Sequence, residues 1–329
     1  MDLQSVREVK AAAKVKIVEP LVRAQARTLG VRAQGIDRVV EPDTIALGIA
    51  KSEGPGYVLA VRIQHPALRK SSAIENLRDL AKGELNIQYV GAIRKRQVPW
   101  YQQRCRPLRI GCSVGHVQVT AGTLGAFVRS RQDNSSQILS NNHVLANENA
   151  ANIGDNILQP GKFDGGQDPM DKIGTLAKFI PLDFRNVNQV DCATALLDTA
   201  IPLDAGGLDS AGRLSTTSPA SVRGGEVVMK LGRTTGLTQG KITAIEMDNV
   251  AIGYDHGQAH FDGQIEIEGA GSVAFSQGGD SGSLIFNQDL APVGLLFAGS
   301  DQGGTNNMGL TYANHLQSVL DVLGIDLFI

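Results

Sequence analysis

The sequence predicts a mainly β protein in which two sets of short strands follow a small α+β domain. Three observations support this fold class: 38 glycines among 329 residues, an aromatic content of 5%, and many short runs of Val, Ile and Leu between turn residues. A chain of this length has room for about two or three domains, each burying a core of its own. We therefore expect more than one compact unit.

Residues 1–105 predict the α+β domain, with the element order helix, strand, strand, helix, strand. Residues 5–28 predict the first helix, because apolar side chains recur there near helical spacing and Lys, Arg and Glu fill other positions. Pro20 is expected to bend or divide this helix. The three strands are predicted at 44–50, 57–64 and 85–93, and the second helix at 71–81.

A basic segment follows at residues 94–109, with six Lys or Arg residues, no acidic residue and the single Trp100. One interpretation is a contact for nucleic acid or a site of proteolytic processing. The other is a solvated linker whose tryptophan packs on one domain. The linker is favoured because no nucleic-acid-binding motif accompanies the segment and the net charge of the whole chain is only −2. We therefore expect no nucleic-acid partner.

The three cysteines, Cys105, Cys112 and Cys192, match no metal-ligand spacing. Their odd number predicts neither a metal site nor a disulfide framework, and it fits a reducing compartment. The N-terminal residues carry charges throughout, unlike a secretory signal, and no segment is apolar and long enough to span a bilayer. These features predict a soluble cytoplasmic protein without a membrane partner. No nucleotide or flavin motif is present, so we expect no cofactor.

From residue 106 the pattern changes to short strands separated by turns. Residues 106–205 predict a first β-barrel and residues 220–312 a second one, with a Pro/Gly/Ser-rich connection at 202–225. A β-sandwich is the alternative arrangement of the same two strand sets. Residues 314–324 predict an amphipathic helix that ends at a glycine and closes the chain.

The stretch "VAFSQGGDSGSLIF" at residues 273–286 places a serine in a glycine-rich loop directly before an apolar strand. Backbone N–H groups flank Ser281 and no bulky side chain adjoins it in sequence, which suits attack on a carbonyl. An ordinary turn has the same composition. Because a serine hydroxyl is a weak nucleophile, the chemical interpretation requires a histidine base and a carboxylate that orients that base.

His143 and Asp191 are the candidates for these two roles. His143 follows the apolar run "QILS" and two asparagines, so its imidazole is expected at a buried edge. By contrast, His256 and His260 lie in a polar Gly/Asp-rich loop. Asp191 lies among apolar residues, where a buried carboxylate requires a partner. Each candidate also has an ordinary structural alternative, namely a histidine at a strand end and an aspartate in a turn. The order along the chain is His, Asp and then Ser281.

This combination resembles the bacterial trypsin-like serine proteases of the chymotrypsin fold. The resemblance covers residues 106–329 and rests on "AGTLGAFV", "LSNNHVLA", "VDCATA", "GRTTGLTQG" and "GGDSGS". It implies a chymotrypsin-like double β-barrel. It further implies that Ser281 is the nucleophile, His143 the general base and then acid, and Asp191 the group that holds the imidazole tautomer.

The resemblance also assigns the surroundings of the nucleophile. The backbone N–H groups of Gly279 and Ser281 are implied to form the oxyanion hole, and Asp280 is expected to pin the loop through hydrogen bonds or a charge. The pocket for the P1 residue is implied to be lined by Phe275, Ser276, Phe297, Ala298 and Gly299. Since Phe275 places no negative charge at the pocket base, we expect a small or medium uncharged P1 residue.

The expected function is that of an intracellular serine endopeptidase that cleaves protein substrates through an acyl-enzyme. The substrate is expected to be another protein or peptide, such as a regulated effector, or the chain itself. Secreted members of the family pin the nucleophile loop with a newly cut N-terminus. Here a long segment precedes the barrels, so the site is either preformed or controlled by the N-terminal domain or by self-cleavage. The alternative is a catalytically silent protease fold that serves as a binding or scaffold protein. The oligomeric state is left open.

Overall fold

The computed structural model of the protein describes residues 1–21, 45–91, 93 and 98–329. These residues form two compact units, Met1–Gln97 and Val98–Ile329. The predicted boundary at 105/106 lies inside the second unit, because Cys105 is buried in the core of that unit. The predicted positions 22–28, 44, 92 and 94–97 lie outside the described residues.

The first unit contains the predicted elements in the predicted order. They are α1 (Leu3–Ala13, followed by a π-helical turn at Lys14–Val18), β1 (Ile45–Lys51), β2 (Tyr57–Ile63), α2 (Ser72–Leu80) and β3 (Leu85–Tyr89). In the sheet, β1 is antiparallel to β2 and β2 is parallel to β3. Asp2 caps α1 by accepting the Ser5 N–H at 2.8 Å. Val6, Leu59 and Ile74 are fully buried, so this unit has a core of its own.

The second unit is built mainly from short strands. In chain order the strands are β4 (Leu108–Arg109), β5 (Ser113–His116), β6 (Gly122–Thr123), β7 (Ala126–Ser130), β8 (Ser136–Ser140), β9 (Asn156–Leu158), β10 (Lys172–Phe179), β11 (Val187–Asn188), β12 (Ala193–Leu197), β13 (Leu203–Asp204), β14 (Val227–Gly232), β15 (Gly236–Met247), β16 (Val250–Tyr254), β17 (Gly257–Phe261), β18 (Gln264–Gly269), β19 (Leu284–Asn287), β20 (Pro292–Gly299), β21 (Leu310–His315) and β22 (Ile325–Leu327). The helices are α3 (Asn142–Leu145) and α4 (Leu316–Leu323). Each described helix is too short or too polar to cross a membrane.

Eight strands form an open sheet, in effect a half-barrel, in the order β22-β7-β8-β12-β10-β9-β5-β6. Ser140 at the end of β8 lies opposite Ala193 at the start of β12. The residues that follow β8 and those that precede β12 therefore meet at the same end of this sheet. The chain does not close with a helix as predicted, because β22 follows α4 and pairs with β7. The C-terminal strand thereby completes the first sheet.

Six strands form a closed barrel in the order β14-β15-β18-β21-β20-β19. Its interior is filled by fully buried aliphatic side chains such as Val228, Ile267 and Ile285. The loop that contains Ser281 joins β18 to β19 at one end of this barrel. A mainly β fold with a half-barrel and a closed barrel, preceded by a small α+β unit, confirms the predicted fold class.

A hairpin that the sequence analysis missed connects the two β structures. Strands β16 and β17 form a separate sheet with β11, in which β17 runs parallel to β11 with Val187 opposite His260. The stretch "GYDHGQAHFDG" was expected to be a loop, and this was wrong, although the expected exposure of His256 is observed. Asp255 and His256 form the turn of the hairpin, whereas Ile252, Ala259 and Phe261 belong to an apolar cluster.

Candidate active site

Asp191 precedes β12 and is fully buried. Its Oδ1 accepts the Asn142 N–H at 2.6 Å, and its Oδ2 lies 2.6 Å from His143 Nδ1. The Asp191 backbone is also held, because its N–H donates to Asn314 Oδ1 at 3.0 Å and its carbonyl accepts from Asn141 Nδ2 at 2.7 Å. These bonds compensate for burial of the carboxylate and fix its orientation.

His143 lies on α3, a single helical turn that begins just after β8, and not at a strand end. The Asp191 carboxylate at Nδ1 requires a proton on that nitrogen, so Nε2 of the neutral ring is the free base. Burial alone would lower the pKa of His143. The charge and hydrogen bond of Asp191, with a smaller contribution from Glu148, outweigh burial and raise the pKa above its ordinary value of 6.5.

Ser281 lies in the β18–β19 loop, against the edge of the first sheet. Its carbonyl accepts the Thr123 N–H at 2.8 Å, and the Thr123 carbonyl accepts from Ser140 Oγ at 2.8 Å. Ser140 ends the strand that leads to His143, so the serine loop and the histidine turn share one support. The Ser281 hydroxyl donates to the Phe297 carbonyl at 3.5 Å. Within residues 98–329 no hydrogen bond joins this hydroxyl to the imidazole.

In the loop before Ser281, the N–H group of Gly278 and those of the predicted donors Gly279 and Ser281 are free of protein acceptors within the described second unit. The N–H of Asp280 between them is bonded to a loop carbonyl. Gly279 has a φ of +93°, and a Cβ at this position would lie 2.6 Å from Thr234 Oγ1. Glycine is therefore required by backbone conformation and by space. The predicted oxyanion-hole donors are thus the N–H of the predicted nucleophile itself and that of the residue two positions before it.

Asp280 is anchored by a buried cation. Lys230 Nζ lies 3.4 Å from Asp280 Oδ2, and both side chains are fully buried. Asp280 Oδ1 also accepts the N–H groups of Thr234 at 2.8 Å and Thr235 at 3.1 Å. Burial lowers the pKa of Lys230 to about 8, despite the opposing effect of the Asp280 charge. The loop is thus held by both a charge and hydrogen bonds from within the second barrel.

A cavity of about 180 Å³ adjoins Ser281. It is lined by the predicted pocket residues Ser276, Ala298 and Gly299, and by Gln277, Gly278, Ser281, Leu296, Ser300 and Asp301. The predicted contributions of the Phe275 and Phe297 side chains were wrong. Phe275 is buried in the closed barrel, and Phe297 packs on Phe261 with ring centroids 4.8 Å apart. Because side chains alternate along β20, Phe297 points away from the cavity that its neighbours line.

A second cavity, of about 240 Å³, lies on the other side of the loop and was not predicted. It is lined by Thr120, Ala121, Phe163, Arg233, Gly278 and Gly279. Phe163 is 73% exposed, although the Arg233 guanidinium lies 5.0 Å from its ring centroid. Arg233 is itself fixed by a bidentate ion pair with Asp164, at 2.5 and 2.6 Å. The ring is therefore an exposed apolar surface on a rigid support.

Sequence reasoning missed two further groups at this site. The Tyr254 hydroxyl donates to Asp191 Oδ2 at 2.9 Å, and Lys230 provides the buried cation. A signal for Lys230 was available, because a lysine inside the apolar strand "VVMKLG" implies a buried charge that requires a partner. The hairpin that carries Tyr254 was interpreted as a loop, so no contact between this tyrosine and Asp191 was expected.

No cluster of three or more His, Cys, Asp or Glu side chains in the described ranges is arranged to hold a metal ion. Cys105, Cys112 and Cys192 are buried and have free thiols. Burial raises the pKa of the Cys192 thiol well above its usual value, so this cysteine is a poor nucleophile at neutral pH. Ser281 is the nucleophile candidate that combines partial exposure with free N–H groups.

Comparisons with known proteins give a family match and a set of similar structures. Residues 187–327, a range that includes Asp191 and Ser281, match the family model of the Nal1 C-terminal domain. No curated protein sequence matches the chain. Similar solved structures are Thermobifida fusca Protease A (17% identity, TM-score 0.46, covering 67% of this chain and 98% of that one), Cellulomonas bogoriensis chymotrypsin (19%, 0.45, 67% and 99%) and Nocardiopsis protease (16%, 0.47, 68% and 100%). At such identities and TM-scores no activity transfers to this chain, so its own geometry has to carry the functional conclusion.

Proposed function

We propose that the protein is a serine endopeptidase that cleaves protein or peptide substrates through a Ser-His-Asp acyl-enzyme mechanism. The observation that carries this proposal is the buried Asp191 carboxylate, 2.6 Å from His143 Nδ1, together with the free N–H groups on either side of Asp280. A buried carboxylate that fixes the imidazole tautomer leaves Nε2 free to act as a general base.

In the proposed reaction, Ser281 Oγ attacks the scissile carbonyl carbon while His143 Nε2 takes the hydroxyl proton. The Gly279 and Ser281 N–H groups bind the resulting oxyanion, an interaction worth about 3 kcal/mol for each donor. His143 then gives its proton to the leaving amine, and water hydrolyses the acyl-enzyme by the same steps. Asp191 stays ionised and stabilises the imidazolium. The reaction requires the Ser281 hydroxyl to turn from the Phe297 carbonyl towards His143 when substrate binds.

The two cavities favour an endopeptidase over an enzyme that removes terminal residues. One cavity contains Ser281 and Ala298, and the other lies beyond Gly279 with Phe163 on its surface. A substrate that extends on both sides of the scissile bond would occupy both. The internal Lys230–Asp280 pair favours a site that forms without a newly cut N-terminus.

One observation favours the alternative of a catalytically silent binding protein. The Ser281 hydroxyl is bonded to the Phe297 carbonyl and not to His143. A serine held permanently in this orientation would leave the imidazole without a proton to accept. The two functions therefore differ in whether Ser281 reacts with an electrophile.

Labelling with a fluorophosphonate tests the proposal, since the reagent bonds covalently only to an activated serine. We expect the purified chain to be labelled, and the Ser281→Ala and His143→Ala variants to show no labelling. Ser272→Ala is a matched control, because this exposed serine of the same loop makes no contact with the site. A folded wild type that stays unlabelled would contradict the proposal and favour the binding protein.

A further inference from the structure

Tyr254 contacts the carboxylate of the proposed triad from outside it. Its hydroxyl donates to Asp191 Oδ2 at 2.9 Å, and the same oxygen faces His143 Nδ1 at 2.6 Å. The tyrosine and histidine rings also meet edge to face, with centroids 6.0 Å apart and an interplanar angle of 62°. Asp191 Oδ1 is held separately by the Asn142 N–H. The carboxylate is thus oriented from two sides, by the Asn142 N–H that follows β8 and by the Tyr254 hydroxyl at the end of β16.

The β16–β17 hairpin that carries this tyrosine is attached at two points to segments that precede Asp191 in the chain. At its base, β17 pairs with β11, and Asn188 Nδ2 donates to the His260 carbonyl at 3.2 Å. At its tip, the Glu148 carboxylate accepts the Asp255 N–H at 3.2 Å and lies 3.1 Å from His256 Nδ1. The two attachments lie on either side of Tyr254 along the hairpin, so they fix the position of its hydroxyl relative to the Asp191 carboxylate.

The tyrosine ring is packed as well as bonded. Its centroid lies 6.1 Å from that of Phe184 and 6.3 Å from that of Phe261. Burial and, secondarily, the charge of Asp191 raise the pKa of Tyr254 above its ordinary value. The hydroxyl therefore remains a protonated donor at neutral and mildly alkaline pH, and the ring has little freedom to withdraw it.

We propose that Tyr254 is a positioning residue for the proposed reaction. It stands beside the triad and holds Asp191 Oδ2 in line with His143. This inference rests on the proposed function. The hydroxyl shares the negative charge of that oxygen with the imidazole and blocks rotation of the carboxylate. A donor to a charged acceptor is worth more than one to a neutral group, so its removal alters both orientation and charge.

The test compares the pKa of His143 and the rate of fluorophosphonate labelling in the wild type and in Tyr254→Phe. The charged and titratable groups that face His143 are Asp191, Glu148 with its partner His256, and Tyr254. Without the hydroxyl, Asp191 Oδ2 directs its whole charge at the imidazole. We expect the pKa of His143, followed by NMR, to rise by about half a unit. We expect the labelling rate to fall about tenfold, with its pH midpoint displaced upward.

Tyr312→Phe is the matched control. Its hydroxyl donates to Glu266 at 3.1 Å in the closed barrel and not to a residue of the proposed triad, so its removal should change neither readout. An unchanged pKa of His143 in a folded Tyr254→Phe variant would overturn the inference. If that variant does not fold, 3-fluorotyrosine at position 254 keeps the ring and makes the donor more acidic, and the pKa of His143 should then fall.

The NMR readout does not depend on catalysis. If the wild type is not labelled, the proposed function fails, whereas the shift of the His143 pKa still decides whether Tyr254 acts on Asp191.

Discussion

The two halves of the candidate site are held in different ways. In the first sheet, Asp191 and His143 are joined directly by a short hydrogen bond. In the closed barrel, Ser281 has no bond to either, and its loop is held by the ion pair of Asp280 with Lys230. The acid–base half is assembled by hydrogen bonds around Asp191, whereas the nucleophile half combines hydrogen bonds with a buried ion pair.

This difference implies two modes of failure. Damage to the first half changes the protonation of the imidazole but leaves the fold in place. Damage to the second half leaves a buried charge without a partner, so it displaces the loop and also costs stability.

Asp191→Asn is expected to have the largest effect. An amide in place of the carboxylate favours the wrong imidazole tautomer, and the labelling rate should fall about 10⁴-fold with little loss of structure. Asp155→Asn is the control, because Asp155 also bonds a buried histidine, His116, at 3.2 Å in the same sheet. Equal labelling of the wild type and Asp191→Asn would show that the carboxylate does not orient the base.

Lys230→Met tests the other half. It leaves the Asp280 carboxylate buried without its cation, so we expect a loss of about 3–5 kcal/mol in the free energy of unfolding. We also expect labelling to fall about 100-fold, because Asp280 anchors the loop that carries the proposed oxyanion donors. Chemical denaturation and labelling kinetics measure the two effects. A variant as stable and as reactive as the wild type would refute the role of the buried charge.

The same lysine predicts a loss of activity in alkali. As pH rises through about 8, the Lys230 ammonium loses its proton and Asp280 loses its counter-ion. The folded-state pKa lies below the ordinary value of 10.5, so the unfolded state binds more protons between these values. Over that window this group therefore favours the folded state as pH rises. Labelling should fall severalfold above pH 8 without unfolding.

Lys230→Arg separates this effect from other alkaline changes. A guanidinium stays charged in this range, so the alkaline fall should disappear or move to higher pH. On the acid side, labelling in both proteins should rise with pH through a midpoint above 6.5, since burial of His143 is outweighed by the Asp191 charge. A pH profile identical in the wild type and Lys230→Arg would show that deprotonation of Lys230 does not cause the alkaline fall in labelling.

The smallest effect is expected from Phe163→Ala, which removes an exposed ring from the second cavity. For peptides with an apolar residue on the leaving side, kcat/KM should fall about fivefold, the scale of one aromatic contact. Substrates with a small leaving group should be cleaved as before. Met170→Ala removes another exposed apolar side chain, which is outside that cavity, and serves as the control. Equal losses for both substrate types would exclude a leaving-side contact.

Much of the fold could be predicted from sequence, because strand periodicity and turn residues are local signals. The two strand sets and the order of elements in the first unit follow from them. The pairing of β22 with β7 could not be predicted, since three residues carry too little pattern to identify a partner strand. The β16–β17 hairpin was missed because its glycines and aspartates are equally typical of a loop.

The same distinction between local sequence signals and contacts of distant segments applies to the candidate site. His143, Asp191 and Ser281 were named as one site from their sequence contexts, and the hydrogen bond between the first two agrees with that prediction. Whether these residues catalyse a reaction stays a prediction. Phe275 and Phe297 were assigned to the pocket wrongly, because side-chain direction depends on strand register, which the sequence does not state. Tyr254 depends on a contact between distant segments and has no local signal.

The most direct measurement of the central claim is the site and rate of fluorophosphonate attachment in the uncut chain. Intact-mass analysis verifies that the chain has not been cleaved, and peptide mapping locates the adduct. We predict one adduct per chain, on Ser281, formed without prior cleavage and absent from His143→Ala. Attachment that requires proteolysis first, or that occurs on another residue, would contradict a nucleophile loop preformed by Lys230 and Asp280.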